Sequence, residues 1–263
     1  MSPPCAASDL PPLVPRGDRP CGPAKPVPRD GSRVVPAWLV TGLALLLSGC
    51  SGSDAGNQWF PLREGSEQTL AVTYTMDEPR EPETWTMRVS APETFQDQPV
   101  AVRHHAAAVS YHPKPDEQGV RRVATRTDLD NEPTADAEPV WVLKAPYRVG
   151  TEWTTVTVPY LLQRKNEHPR DLKYTHKAQM TWRIEAVDDS VKLADGSEHQ
   201  PCLRVVGQAR LSLYTDPVNG FTDVPLISRE WYCQGEGLVK LEREEKVPQG
   251  FLTGGLLQAE WVR

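Results

Sequence analysis

The stretch His176-Lys177-Ala178-Gln179-Met180-Thr181-Trp182-Arg183-Ile184-Glu185-Ala186-Val187 alternates strictly. Ala178, Met180, Trp182, Ile184 and Ala186 share one side of an extended chain, and Lys177, Gln179, Thr181, Arg183 and Glu185 share the other. A period of two is that of a strand with one face in a core and one in water. The same period returns on both sides of it. Leu203, Val205, Gly207, Ala209, Leu211 and Leu213 make a second such face, and Leu70, Val72, Tyr74 and Met76 a third. Trp85, Met87 and Val89 follow after Asp77 to Glu83, whose two prolines predict a hairpin turn.

Further strands are predicted at 99–111, 119–127, 139–144, 152–158, 224–233, 237–247 and 255–262. No window of fourteen residues carries a sustained i, i+3, i+4, i+7 stripe, and Tyr160 to Asp171 is the best place for a short helix. The expected class is mainly β with little helix: an antiparallel meander forming a curled sheet, partial barrel or sandwich. Pro61-Leu62-Arg63-Glu64-Gly65-Ser66-Glu67 is echoed by Pro146-Tyr147-Arg148-Val149-Gly150-Thr151-Glu152, each ahead of a β-patterned run. Two similar half-sheets would account for the echo, as would two turns of one design.

Upstream of this region the composition changes. Residues 1–32 hold nine prolines and almost no apolar periodicity, too little to bury a core. The apolar run 37–47 that follows is shorter than the ~20 residues a membrane-spanning helix needs. With Arg29 and Arg33 before it and Leu47-Ser48-Gly49-Cys50 after it, the run reads as a signal peptide ending in a lipobox. The alternative is a buried segment that ends at a free thiol. On the first reading residues 1–49 are leader, 50–58 are the lipidated Cys50 with a flexible tether, and 59–263 are an all-β periplasmic domain. The membrane is then engaged through the lipid, with palmitate among its acyl chains. Ser51, rather than Asp, after the cysteine resembles lipoproteins bound for the outer membrane, which sets the expected location.

Of the 29 basic and 35 acidic side chains, five and three lie in residues 1–49, so the remainder has 24 against 32 and a net charge of −8. That balance, with no basic stripe, speaks against nucleic acid as a partner. Cys5 and Cys21 go with the leader and Cys50 takes the lipid. Cys202 and Cys233 remain, as a disulfide in an oxidising compartment or as two free buried thiols. Paired across one hairpin, they require opposed residues whose numbers sum to 435. The turn then falls at Asp216-Pro217-Val218-Asn219-Gly220, a tight-turn sequence. This register faces Trp231 with Arg204, a stacking pair, and Glu230 with Val205, an awkward one.

Phe60-Pro61-Leu62-x-x-Gly65, Gly150-Thr151-Glu152-Trp153 and Glu230-Trp231-Tyr232-Cys233-Gln234-Gly235-Glu236-Gly237-Leu238-Val239-Lys240 resemble the turns of uncharacterised bacterial lipoproteins with FPL-x-x-G-x-x-W and EWYAPGVGLVK signatures. Gln68 replaces the Trp of the first, and Cys233, Gln234 and Glu236 replace Ala, Pro and Val of the last. Gly196 to Cys202 is similar to that family's Gly-x-Phe-x-x-Cys turn, with one extra residue and no Phe. The resemblance implies a curled sheet like the half-barrels of periplasmic lipoprotein carriers and brings no activity with it. Gly65, Gly150, Gly235 and Gly237 are read as structural turn residues, the last two in a bulged turn with no basic residue or helix to hold a phosphate.

Asp128-Leu129-Asp130-Asn131-Glu132 starts like a calcium loop, but Pro133 stands where its glycine is needed. Within one extended strand His104 and His112 would lie about 27 Å apart, too far to share a metal. Asp188-Asp189 look like loop residues. No G-x-S-x-G, S-x-x-K or H-E-x-x-H motif occurs, and neither a cofactor nor a metal is called for. The reading that results is a non-catalytic binding or assembly module with an apolar concavity, its partner a lipid, a peptide or an envelope protein. A structural envelope component without a pocket, or a hydrolase gathering His168, His176 and carboxylates into a non-local site, are the alternatives.

Overall fold

The chain of alternating faces folds into twelve strands of one antiparallel sheet, nearly closed on itself like a barrel. The computed structural model describes residues 58–105, 108–165, 168, 170–247 and 250–262. Its strands are β1 (Glu67–Met76), β2 (Glu83–Phe95), β3 (Gln98–His105), β4 (Ala108–Pro113), β5 (Gly119–Thr127), β6 (Thr134–Lys144), β7 (Glu152–Thr157), β8 (Gln163–Arg164), β9 (Ala178–Lys192), β10 (Glu198–Asp216), β11 (Gly220–Cys233), β12 (Gly237–Glu245), β13 (Leu252–Thr253) and β14 (Gly255–Val262). The sheet order is β6-β5-β4-β3-β2-β1-β14-β12-β11-β10-β9-β7, and β8 pairs with β13 apart from it.

The order consists of two meanders of six strands. Each opens with one copy of the echoed heptapeptide, and the two copies make matching backbone bonds. The Gly65 N–H donates to Val89 O at 2.8 Å and the Gly150 N–H to Ile184 O at 2.9 Å. In return the Val89 N–H reaches Ser66 O at 2.9 Å and the Ile184 N–H reaches Thr151 O at 3.0 Å. Both glycines have positive φ, 76° and 91°, where a side chain would be strained. The echo is therefore one device used twice, pinning the first strand of each half to the strand beside it. β1 and β14 join the halves at one seam through eight residue pairs, whereas β6 and β7, joined in sequence by residues 145–151, form the ends of the sheet order.

Between β10 and β11 the predicted register holds from Cys202↔Cys233 to Tyr214↔Phe221 before a bulge sets Asp216 opposite Gly220. Cys202 and Cys233 are bonded. Asp216 Oδ1 accepts the N–H groups of Val218 and Asn219 at 2.8 and 2.7 Å, which closes the turn where the sequence placed it.

Four expectations need correction. Residues 99–111 are not one strand but the hairpin β3–β4, so His104 and His112 are brought to neighbouring strands on opposite faces. Among the described residues of Tyr160 to Asp171 no helix forms. That segment carries β8 and is followed by a single 3₁₀ turn at Leu172–Tyr174, because Leu161, Leu162 and Leu172 are all driven into the core at 0–1% exposure. Asp188 and Asp189 lie within β9 rather than a loop. Arg204 does face Trp231, but both reach Asp189 Oδ2, at 3.1 and 3.2 Å, and the cation over the Trp231 ring is Lys240.

The buried side chains fall into clusters. Leu162, Leu172 and Leu252 pack on Met180, Leu211 and Leu226 of β9 to β11. Trp59 and Phe60 pack with Leu143, Trp153, Ile184 and Tyr232. Leu161 packs with Leu70, Val72, Leu241 and Leu257 of β1, β12 and β14. The segment around residues 160–172 thus touches both halves of the sheet.

Candidate functional site

The first and last of the quoted turn motifs meet in space. The Gly235 N–H donates to Gln58 O at 2.6 Å, and Gln68 Nε2 donates to Leu238 O at 2.7 Å. Gly237, at φ 87°, lies so close to Pro61 that a β-carbon there would stand 3.0 Å from its ring. Gln68 is thus the residue whose side chain ties the two turns together. Phe60 extends inward from this junction. Its ring centre is 5.6 Å from that of His112, 6.2 Å from that of Tyr232, and 4.7 Å from the Arg103 guanidinium.

Polar groups continue from there. The Tyr232 hydroxyl donates to Glu230 Oε2 at 2.5 Å and the Ser228 hydroxyl to Oε1 at 3.3 Å. Burial nevertheless pushes the Glu230 carboxyl above the ordinary range, against the pull of these two hydrogen bonds. Opposite Val205, Glu230 escapes the expected mismatch because its own strand supplies its partners. Farther along, Arg243 Nε donates to Glu245 Oε1 at 2.7 Å, with the side chains 2% and 0% exposed. Glu245 also accepts the N–H groups of Tyr160, Leu161 and Leu162 at 2.8–3.2 Å, and Arg243 donates to Val158 O at 3.2 Å. This pair is satisfied on every side and anchors the 158–162 segment.

Next to the anchor is a cavity of about 430 Å³. Buried Leu70, Met87, Leu241 and Leu257, with half-buried Leu238, give it an apolar floor. Tyr74, Arg80, Glu83, Trp85, His105 and Lys173 form its polar edge. Tyr160 lines it too, 44% exposed. A second cavity of about 190 Å³, beside the meeting turns, shares Met87, Arg103 and Leu238 with the first, which puts Arg103 in the wall between them. Burial pulls the Arg103 guanidinium down to about 10, so it stays charged at neutral pH. The neighbouring histidines stay neutral: burial first, then the Arg103 charge, lowers His105 and pushes His112 down to about 3. An apolar floor with a charged group in its wall has the make-up of a site for an amphiphile.

The remaining expected residues are placed as follows. Gly235 joins Gly237, Gly65 and Gly150 at positive φ, 78°, in the turn between β11 and β12. Cys50 and the lipobox Leu47, Ser48 and Gly49 lie outside the described residues. His168 is exposed and His176 half-buried, and the His176 ring meets its neighbour Thr175, so among the described residues no cleft gathers the two with carboxylates. No group of three metal-ligating side chains occurs among the described residues.

One arrangement escaped the sequence reading. Ser197 Oγ lies 3.2 Å from His199 Nε2, and His199 Nδ1 lies 2.7 Å from Glu236 Oε2, the spacing of a serine triad. The direction of the bonds does not suit a nucleophile. Ser197 has one hydroxyl proton and gives it to Asp195 Oδ1 at 2.6 Å, which leaves its oxygen as an acceptor toward the histidine. Nor does either cavity include Ser197 or His199. Ser197 immediately precedes β10, His199 lies on it and Glu236 is distant in sequence, so only the fold brings the three together.

No protein-family model and no curated protein sequence matches the chain. Among solved structures, a Bacteroides fragilis protein provisionally named as exported, with a YmcC-like fold, aligns at TM-score 0.31 and 13% identity over 74% of this chain and 94% of that one. A Parabacteroides distasonis protein provisionally named a lipoprotein aligns at TM-score 0.29 and 13% identity over 75% of this chain and 96% of that one.

Proposed function

We propose that this chain is a lipoprotein of the bacterial envelope, anchored in the outer membrane through acylated Cys50 with its barrel in the periplasm, and that the barrel is a non-catalytic module holding a lipid. The observation that carries the reading is the 430 Å³ cavity, whose apolar floor is built by both halves of the sheet. That volume falls within the roughly 300–1,000 Å³ usual for ligand sites. The lipobox supports the anchor. The Ser197 hydroxyl, committed to Asp195, supports the absence of serine catalysis.

Native mass spectrometry of the processed protein tests the reading. A population heavier by one lipid, beyond the covalent anchor, is the expected result, and Leu238→Trp, which fills the cavity from its floor, reduces it. Protein that is uniformly empty in both forms would instead make the barrel a structural component or a docking partner for another envelope protein.

A further inference from the structure

We propose that Arg103 is the counter-ion for the anionic group of a single-chain amphiphile, whose apolar chain lies on Leu70, Leu241 and Leu257 in the larger cavity. The proposal rests on the lipid reading above and adds to it the chemistry of the head group.

The cations near the cavity are partnered unequally. Arg80 lies 3.6 Å from Glu83, and Lys173 lies 3.5 Å from Asp171. Deeper in, Arg243 is bonded to Glu245 at 2.7 Å. Arg103 differs. Its guanidinium donates to Met87 Sδ at 2.8 Å and lies against the Phe60 ring, and among the described residues no carboxylate is within ion-pair distance of it. Glu230, the buried acid nearby, is bonded to Ser228 and Tyr232 instead. A thioether is a weak acceptor and a ring face only a partial counter-charge, so most of the guanidinium's five donors have no strong partner. Taking such a group out of water without an anion is costly, and an incoming anion would remove that cost.

Access and geometry agree with this. Arg103 is enclosed by protein yet keeps part of its surface, and it lines both cavities. The planar fork of a guanidinium matches a carboxylate or a phosphate through two parallel bonds. An amphiphile with its chain on the floor and its anion at Arg103 would satisfy both.

The processed full-length protein, held in a non-ionic detergent, is titrated by native mass spectrometry with palmitic acid, with methyl palmitate and with lysophosphatidic acid. Methyl palmitate has the same chain without charge. The unaltered protein is expected to bind palmitic acid, lysophosphatidic acid or both at least tenfold more tightly than the ester, and the preferred acid identifies the head group. Arg103→Gln removes the preference, and Arg103→Lys keeps part of it. Equal affinity of acids and ester for the unaltered protein, or a preference that survives Arg103→Gln, overturns the counter-ion proposal and leaves the lipid reading standing. Failure of all three to bind defeats both.

Discussion

Glu245 stands two residues beyond Arg243 on the buried face of β12, and its carboxylate serves the Arg243 guanidinium and three successive N–H groups at Tyr160, Leu161 and Leu162 together. The pair holds the segment that completes the cavity wall, since Tyr160 lines it. Glu245→Gln leaves a buried guanidinium without its charge partner and is expected to lower stability by about 3–5 kcal/mol in urea unfolding. Adding Arg243→Met removes the stranded charge and should recover part of that loss. A double replacement less stable than the single one would contradict this account.

The disulfide closes a loop between cysteines 31 positions apart. Replacing both with serine is expected to cost about 3–4 kcal/mol on the chain-entropy account, measured by unfolding midpoints at unchanged slope. In the unaltered protein neither cysteine should react with an alkylating reagent until a reductant is added.

Two buried groups give opposite pH dependences. The Glu230 carboxyl is raised above its unfolded value of 4.5, so the folded state holds the proton longer. Its contribution is complete below that value and is lost as pH rises through the folded one. His112 is depressed to about 3 from an unfolded value of 6.5, so its contribution is present above 6.5 and is lost as pH falls toward 3. Stability followed across pH should rise less steeply from pH 3 to 6.5 in His112→Gln, and Glu230→Gln should abolish the loss on the alkaline side of 4.5.

Gly207 faces Met180 and Trp182 across the β9–β10 pairing, and a β-carbon there would meet Met180 Sδ at 2.6 Å and the Trp182 ring at 2.7 Å. Gly207→Ala is expected to cost about 1–3 kcal/mol through overpacking. A shift in the tryptophan emission, as the Trp182 ring is displaced, should accompany it.

The anchor is tested at Cys50. Metabolic labelling with a palmitate analogue should mark the unaltered protein and not Cys50→Ala, which is expected to keep its leader and run at the higher mass. Equal labelling of both would remove the lipobox reading.

Much of the architecture could be read locally. Strand faces follow from a period of two, and the β10–β11 register follows from two cysteines and one turn, because a hairpin is determined by its own residues. The reading of 99–111 as one strand failed for a local reason too: β3 and β4 are both apolar in pattern, and residues 106–107 carry none of the Gly, Pro or Asn that mark a turn. Tyr160 to Asp171 failed for a different one. Its leucines have no strand period, and they are held by a carboxylate more than eighty residues away.

The amino-acid order by itself determined the all-β class, the hairpin of the two cysteines and the repeated heptapeptide, since each depends on neighbours in sequence. Only the tertiary structure decided that the first and last turn motifs join through Gln68, that Glu245 holds the 158–162 segment, and that Arg103 faces the cavity with no carboxylate of the described residues within ion-pair distance. Those facts depend on which strands become neighbours when the sheet curls. Charge pairing across such distances leaves no periodic trace in the chain.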